Sequence, residues 1–203
     1  MLFALIDWWH LMLSQLYLIR HGQTEWSLSG QHTGSTDIPL TEQGEREALR
    51  LSAELRVVSF DYVFSSPRQR AWQTCKLVGL AEAAELEPDL AEWDYGDYEG
   101  QRTADIRQTR PDWNLFQDGC PHGESPGQIA ERADRLIARL RMLEGTIAIF
   151  THGHFGRALA ARWIGLPVSQ AQCFLLTTAS LSILGYDHQR IEEPVIVRWN
   201  AVA

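Results

Sequence analysis

Two short apolar segments that each end in a His-Gly pair constrain this chain most. Residues 16–19 read Leu-Tyr-Leu-Ile and run directly into Arg-His-Gly at residues 20–22. Residues 147–150 read Ile-Ala-Ile-Phe and lead, after one threonine, to His152 and Gly153. Apolar runs of this length predict strands that are buried on both faces. Because open α/β sheets bind ligands beyond the carboxyl ends of their strands, we expect both histidines at a ligand site.

The residues at the first strand end suit phosphoryl transfer. A histidine can accept a phosphoryl group as a nucleophile, and an adjacent arginine neutralises the charge on the phosphoryl oxygens. Gly22 has no Cβ, so the chain can turn sharply there and a ligand can approach the backbone. We therefore expect His21 to attack phosphorus while Arg20 holds the oxygens. Neighbouring arginines disfavour an imidazolium, so we also expect a lowered pKa for His21.

Composition favours one globular domain that acts on a small molecule. The 203 residues are 45% hydrophobic and 22% charged, which is ordinary for a globular protein. A formal net charge of −8 argues against nucleic acid or an anionic membrane surface as the main partner. A small anionic substrate is still compatible, because charges are screened beyond ~10 Å. The three cysteines are widely spaced and odd in number, which favours a reducing cytoplasm over a disulfide framework.

Residues 1–14 are interpreted as an apolar N-terminal extension. The run is too short for a membrane span, which takes ~20 residues. It also lacks the basic start and small-residue cleavage site of a signal peptide. A short added helix, or an upstream start codon with Met12 as the natural beginning, explains the segment. Trp8 and Trp9 leave a homodimer contact open, and residues 15–203 form the expected functional domain.

The rest of the chain alternates between strand and helix patterns. Thr41 and Ser125 are expected to cap the helices that follow them. Residues 26–37 form a polar, glycine-punctuated segment that is expected to be a loop lining the pocket. Helices are predicted over residues 41–58, 126–143 and 155–164, short helices within 101–120, and further strands at 62–64, just before Pro88, at 181–186 and at 191–199. We expect an α/β fold of three layers, α/β/α, with a mostly parallel central sheet and helices on both faces.

A segment that begins at Ser66 places two arginines near a predicted helix start. Ser66, Pro67 and Gln69 match a capping box, so the helix is expected to begin at the end of a strand. Such a helix terminus favours a phosphate group. Arg68 and Arg70 in the first turn oppose the helix dipole, which indicates an anion nearby. A solvated surface position is the alternative, for Arg68 more than for Arg70.

A carboxylate-rich segment among aromatic residues offers a general acid. Glu92, Asp94, Asp97 and Glu99 alternate with tryptophan and tyrosine. Aromatic neighbours desolvate a carboxyl group, and desolvation favours its protonated form. The pattern alone does not distinguish which of the four carboxylates is the acid, and an acidic surface loop is the alternative.

Taken together, these motifs resemble the histidine phosphatase superfamily and its phosphoglycerate mutase-like fold. The motifs are Arg20-His21-Gly22, Arg70 in Ser-x-x-x-Arg-Ala, Glu92 ahead of Tyr95-Gly96, and His152-Gly153, and the resemblance covers residues 16–199. It implies that His21 is the nucleophile that becomes phosphorylated and that Glu92 protonates the leaving oxygen. It further implies that Arg20, Arg70 and His152 hold the phosphoryl group. No metal and no other cofactor are implied.

Finer details resemble the sedoheptulose-1,7-bisphosphatase branch of this superfamily. Matching segments are residues 24–31, 92–100, 113–120 and 152–154, and Ser27 stands where classical mutases carry asparagine. The interval between Glu92 and His152 is too short for the long insertion of cofactor-dependent mutases. The resemblance therefore implies a phosphoric monoester hydrolase for small phosphorylated metabolites, such as sugar phosphates or bisphosphates, with sedoheptulose 1,7-bisphosphate as one candidate. The substrate-binding residues that it implies are Ser27, Thr33, Gly34, Tyr95, Gly153 and His154.

Three other interpretations stay open. The first is a phosphoglycerate mutase of the same fold. The second is a metallohydrolase in which His152-x-His154 is joined by His32 or His122 and a carboxylate. The third is a module that binds a phosphorylated ligand without turnover, although all five expected catalytic residues are present.

Overall fold

The computed structural model describes residues 14–202 and shows a six-stranded mixed sheet between two layers of helices. The strands are β1 (Gln15–Arg20), β2 (Tyr62–Ser65), β3 (Ala84–Leu86), β4 (Thr146–Thr151), β5 (Ser180–Tyr186) and β6 (Pro194–Val202). The helices are α1 (Glu25–Ser29), α2 (Glu42–Leu55), α3 (Gln69–Leu77), α4 (Thr103–Thr109), α5 (Leu115–Asp118), α6 (Pro126–Leu140) and α7 (Gly153–Trp163), with short 3-10 turns between some of them. Residues 1–13 of the expected N-terminal extension, and the homodimer contact considered there, lie outside the described residues.

The strand order confirms the expected mostly parallel sheet. The order is β3-β2-β4-β1-β5-β6, and the pairs β2–β3, β2–β4 and β1–β4 are parallel. The pairs β1–β5 and β5–β6 are antiparallel. A short hairpin joins β5 to β6, and only antiparallel strands allow so short a connection, because parallel strands need a crossover.

The two strands that end in His-Gly are neighbours in the centre of the sheet. β1 pairs with β4 so that Arg20 lies opposite Thr151. The backbone N–H of His21 then donates to the carbonyl of Thr151 at 3.0 Å. His21 and His152 therefore leave the sheet side by side, at its carboxyl edge.

Alternating side chains on β1 build the core on both faces of the sheet. Leu16 and Leu18 are fully buried in a cluster that includes Ile129 of α6 and Phe155 of α7. Ile19 is fully buried in the other cluster, which contains residues of α2 and α3. The strand is thus covered on both faces, as its continuous apolar pattern predicts.

Two of the predicted helix starts are found where they were expected. The Thr41 side chain accepts from the backbone N–H of Gly44, and Ser125 forms a complete capping box with Gln128. The helices that follow are α2 and α6, and each ends three residues before its expected boundary.

The predicted capping box at Ser66 is wrong. α3 begins at Gln69, and its N-cap residue is Arg68, which makes no side-chain capping bond. Asp37 from a distant loop accepts the N–H of Gln69 at 2.8 Å instead. The hydroxyl of Ser66 instead lies 2.7 Å from a ring nitrogen of His152.

The polar segment after β1 is also more ordered than a loop. Thr24 and Ser27 form a capping box that starts the short helix α1, and Gly30 ends it with a φ of 80°. The sequence shows no apolar period there because no residue of α1 is buried.

Among residues 14–202, no helix is long and apolar enough to cross a membrane.

The turn that follows β1 packs directly against the backbone of α2. A Cβ added at Gly22 would lie 2.3 Å from the carbonyl oxygen of Gly44. A Cβ at Gly44 would lie 2.1 Å from the carbonyl oxygen of Gln23. Both glycines are therefore required by close backbone contact, which fixes the residues that follow His21.

Substitution of Gly44 by alanine tests this contact. We expect Gly44→Ala to lower the free energy of unfolding by about 1–3 kcal/mol, because the methyl group overpacks the site. The matched control is Gly127→Ala in the first turn of α6, where an added Cβ meets only the Ser125 hydroxyl at 3.8 Å. That control should be neutral or stabilising by up to about 1 kcal/mol. Urea unfolding of both variants measures the difference, and equal stability of the two would contradict the contact.

Candidate active site

The imidazole rings of His21 and His152 meet at the carboxyl edge of the sheet. Their centroids lie 5.1 Å apart at an interplanar angle of 61°. Both residues are buried, with His21 only 4% exposed and His152 fully covered. This proximity follows from the pairing of β1 with β4.

The imidazole of His21 is neutral and keeps a lone pair on one ring nitrogen. Its Nδ1 lies 2.7 Å from the carbonyl oxygen of Gly22. Since a carbonyl oxygen only accepts, Nδ1 carries the proton and Nε2 keeps its lone pair. Burial, followed by the charges of Arg70 and Arg20, lowers the pKa of His21 well below its usual value. The expected direction of this pKa shift is confirmed, although desolvation contributes more than the arginines.

His152 has a hydrogen-bond partner at each ring nitrogen. Arg70 Nε donates to Nδ1 at 3.1 Å, so Nε2 carries the proton and donates to the hydroxyl of Ser66 at 2.7 Å. Burial and the neighbouring arginines lower the pKa of His152 well below its usual value. The ring is therefore held in one tautomer and one orientation.

Arg70 is a buried residue of the site and not a solvated surface arginine. It is 0% exposed, and its guanidinium donates to the backbone carbonyls of Thr33, Gly34 and Thr36. Desolvation lowers its pKa, and the carboxylate of Glu92 counteracts that effect. The carbonyls satisfy a buried cation, so its position relative to His152 is fixed.

Arg20 lies flat against the start of α7. A Cβ at Gly153 would sit 3.2 Å from the central carbon of the guanidinium, so a side chain there would displace it. One terminal nitrogen donates to the carbonyl of Leu176. Among the described residues, the buried Nε of Arg20 has no hydrogen-bond partner. A buried donor beside a pocket suits an anionic ligand.

Glu92 is held by backbone N–H groups at the pocket. Its Oε1 accepts from Trp93 at 2.9 Å and from Phe155 at 2.8 Å. Its Oε2 accepts from the N–H of His154 at 3.0 Å. The carboxylate therefore occupies the anion-binding N-terminus of α7, and Oε2 retains a lone pair for a proton.

The other three carboxylates of the acidic segment have different surroundings. Asp94 is exposed and accepts from the N–H of Gly96, while Asp97 pairs with His122 at the surface. Glu99 accepts the backbone N–H groups of residues 34 and 36. Of the four, Glu92 is the one that lines the cavity beside His21.

A cavity of about 210 Å³ opens in front of His21. Its lining includes the following residues from the sequence prediction: Arg20, His21, Ser27, Thr33, Glu92, Tyr95, Gly153 and His154. The hydroxyl of Ser27 is also part of the capping box of α1. Gly34 does not line this cavity, and its N–H donates to Glu99. A substrate-binding role for these residues stays a prediction.

A cluster of aromatic rings forms one wall of the cavity. The Tyr95 hydroxyl lies 2.6 Å from Nδ1 of His154. Burial raises the pKa of Tyr95 and lowers that of His154, so the phenol and the imidazole that share this hydrogen bond are both neutral. His32 stacks on Tyr95 with ring centroids 4.7 Å apart, and burial lowers its pKa to about 4.

The sequence interpretation missed several residues of the site. Arg157 lines the cavity from α7, one helical turn after His154. Its position could have been found from the helical spacing, because residues three apart share a face. Leu176 and Thr103 also line the cavity, and no local pattern marks them.

The histidines of the alternative metal site have other partners. His152 uses both ring nitrogens in hydrogen bonds, and His122 lies at the surface with Asp97. Within residues 14–202, the one group of three potential ligands close enough to share an ion is Asp187, His188 and Glu193, on the exposed β5–β6 hairpin.

The fold agrees with comparisons to known proteins. A family model described as histidine phosphatase superfamily, branch 1, matches residues 16–202. The chain therefore belongs to the histidine phosphatase superfamily, as the motifs predict. A solved structure of an open reading frame product from Mycobacterium tuberculosis has a TM-score of 0.86 and 38% identity, covering 93% of this chain and 98% of that one.

Two named relatives are phosphatases. An acid phosphatase of Mycobacterium tuberculosis is 42% identical over 178 residues, which cover 86% of this chain and 87% of the relative. A sedoheptulose 1,7-bisphosphatase of Saccharomyces cerevisiae is 36% identical over 243 residues, which cover 88% and 90% of the two chains. The expected enzyme class, a phosphoric monoester hydrolase, agrees with both relatives.

The buried neutral histidines predict a loss of stability in acid. Unfolding exposes rings that take up protons below about pH 6.5, whereas folded His32 stays neutral down to about 4. Stability is therefore present above pH 6.5 and is lost as the pH falls below it. We expect His32→Phe to reduce this loss by up to about 1.4 kcal/mol per pH unit.

Urea unfolding at several pH values between 8 and 4.5 measures this effect. The difference in stability between His32→Phe and the wild type at pH 8 supplies the control, because the ring of His32 is neutral there in both the folded and the unfolded state. A slope unchanged in His32→Phe would contradict the prediction.

Proposed function

We propose that the chain is a metal-independent phosphatase that hydrolyses small phosphorylated metabolites through a phosphohistidine. The observation that carries the proposal is the pair of imidazoles 5.1 Å apart, with Arg20, Arg70 and Glu92 around them. These groups supply a nucleophile, positive charge for the phosphoryl oxygens and a carboxyl group for the leaving oxygen. Phosphoryl transfer needs little beyond this positioning and charge neutralisation.

In the first half-reaction, Nε2 of His21 attacks phosphorus. The bond from phosphorus to the ester oxygen breaks as the bond from nitrogen to phosphorus forms. The Nε of Arg20, which has no partner among the described residues, donates to one phosphoryl oxygen, and the Nε2–H of His152 exchanges the Ser66 hydroxyl for another. Protonated Glu92 gives its proton to the leaving oxygen from Oε2, so the product leaves as an alcohol.

In the second half-reaction, water hydrolyses the phosphohistidine. The carboxylate of Glu92 takes a proton from the water as the oxygen of the water bonds to phosphorus. The bond from His21 to phosphorus breaks, inorganic phosphate leaves, and both residues return to their starting states. Glu92 thus acts as acid and then as base from one position beside the start of α7.

A second cation in the cavity supports bisphosphates among the substrates. Arg157 donates to the carbonyls of Ala171 and Gln172, and its guanidinium lies 4.5 Å from the ring centroid of Phe116. It therefore presents a fixed positive charge in the same cavity as His21. A substrate with a second anionic group gains a charge-assisted contact there. The bisphosphatase relative agrees with this class, and sedoheptulose 1,7-bisphosphate is one candidate.

We also propose a reducing compartment, the cytoplasm. Cys75 and Cys120 are free and buried, and burial raises the pKa of each thiol to about 12. Cys173 is free and exposed. Three cysteines without a disulfide suit a protein that does not depend on disulfide formation.

Substitution of His21 by alanine tests the nucleophile. We expect His21→Ala to lower phosphate release from a sugar phosphate by a factor on the order of 10³ or more. When the reaction with a ³²P-labelled substrate is quenched rapidly without acid, the wild-type protein should carry an acid-labile label. The variant should carry none. The control is His122→Ala, at an exposed residue, which should keep both the phosphate release and the label on the protein. Normal turnover in His21→Ala would disprove the mechanism.

A coupled assay separates hydrolysis from the mutase alternative. We expect phosphate release to exceed the interconversion of 2- and 3-phosphoglycerate by the same preparation. A faster interconversion would identify a mutase and contradict the proposed hydrolysis.

Substitution of Arg157 tests the second anion contact. We expect Arg157→Gln to lower kcat/KM for a sugar bisphosphate about tenfold relative to the matching monophosphate, because one charge-assisted hydrogen bond is lost. The ratio of the two substrates is the readout, since general damage to the fold lowers both. Arg162→Gln on the same helix is the control, because Arg162 pairs with Asp134 outside this cavity. An unchanged ratio in Arg157→Gln would contradict the role.

A further inference from the structure

A β-bulge near the end of β6 interrupts its pairing with β5. Leu181 pairs with Ala201, whereas Ile183 pairs with Arg198, so the interval on β6 is one residue longer than the interval on β5. Asn200 in this interval has a φ of 54°, which is the left-handed region. Bulges of this kind bend a strand and redirect its side chains, and they are frequent beside active sites.

The bulge directs two consecutive side chains to one neighbouring segment. In a regular strand, consecutive side chains point to opposite faces. Here the indole of Trp199 donates to the carbonyl of Leu175 at 2.6 Å. The Asn200 Oδ1 accepts from the N–H of Thr177 at 2.6 Å, and its Nδ2 donates to the Thr177 hydroxyl at 3.2 Å. Trp199 and Asn200 thus hold residues 175–177 from both ends.

Residues 175–177 lie against the end of β1. Between the two anchored residues lies Leu176, which lines the cavity and whose carbonyl accepts from the guanidinium of Arg20. Three residues after Leu176, the backbone N–H of Ala179 donates to the carbonyl of His21 at 3.0 Å. Ala179 adopts a φ of 47°, so an alanine holds a conformation that favours glycine.

We propose that Trp199 and Asn200 are positioning residues for Arg20, acting through the carbonyl of Leu176. The inference rests on the proposed function, because it assumes that Arg20 holds the phosphoryl oxygens. One terminal nitrogen of Arg20 is fixed on Leu176, and the buried Nε has no partner among the described residues. The place of that carbonyl therefore sets the direction in which the free donors of Arg20 point. A small displacement of a group that contacts the transition state has a large effect on rate.

Glycine at residue 200 separates this role from the stability of the bulge. Asn200→Gly removes both side-chain bonds to Thr177, yet glycine adopts a positive φ without strain. We expect kcat/KM for phosphate release to fall about tenfold or more, with a similar loss of affinity for orthovanadate. Asn200→Asp keeps an acceptor for the N–H of Thr177 and should recover most of the activity. Trp199→Phe, which keeps an aromatic ring beside Phe174 but loses the indole donor, should also lower activity.

A matched control lies in the hairpin that joins the same two strands. Gln189 in the β5–β6 hairpin has a φ of 54° and is exposed. Gln189→Gly makes the same backbone change as Asn200→Gly without any contact to residues 175–177. We expect it to leave kcat/KM and vanadate affinity unchanged. Thermal unfolding of both glycine variants checks that each is folded.

A double-mutant cycle with Arg20 decides the inference. In an Arg20→Ala background, Asn200→Gly should lower kcat/KM and vanadate affinity by less than about twofold, because the group that it positions is gone. A full additional loss in that background, or wild-type activity in Asn200→Gly, would overturn the inference and leave the proposed function intact. Absence of phosphate release from the wild-type protein itself would overturn both.

Discussion

The parallel pairing of β1 with β4 is the constraint on which the site depends. Because Arg20 lies opposite Thr151, the next residues, His21 and His152, leave the sheet at the same edge. A slip of one residue would turn every side chain of β1 to the other face, which would remove Leu16 and Leu18 from their core cluster. The apolar packing that holds the register therefore also holds the two imidazoles 5.1 Å apart.

Burial then gives these groups their chemical character. Desolvation is the largest cause of the lowered pKa of His21 and of His152, and the arginines act in the same direction. A neutral imidazole is the form that the proposed attack on phosphorus requires, and burial favours that form. Arg70 remains compatible with burial because its donors are satisfied by backbone carbonyls and by His152. The cost of enclosing the cation is thus met by bonds that also fix its position.

Predictions from the sequence succeed where the signal is local and fail where a distant partner intervenes. The caps at Thr41 and Ser125 are found as expected, because each bonds within its own first turn. The cap at Ser66 is not, because its hydroxyl lies against His152, 86 residues further along the chain. Asp37 takes over the start of that helix from a separate loop. Hydrogen bonds between distant segments have no period in the sequence, so no pattern could reveal them.

The sequence by itself determined the strands, most of the helices and the residue types that carry the chemistry. Apolar runs, capping residues and turn residues define those elements over a few neighbouring positions, and the His-Gly ends mark the edge of the sheet where the proposed site lies. Only the tertiary structure decided which carboxylate faces His21: Glu92 does so because the first turn of α7 donates to it. It also placed Arg157 in the cavity and Asn200 against Thr177, since both placements depend on contacts that form after distant segments pack together.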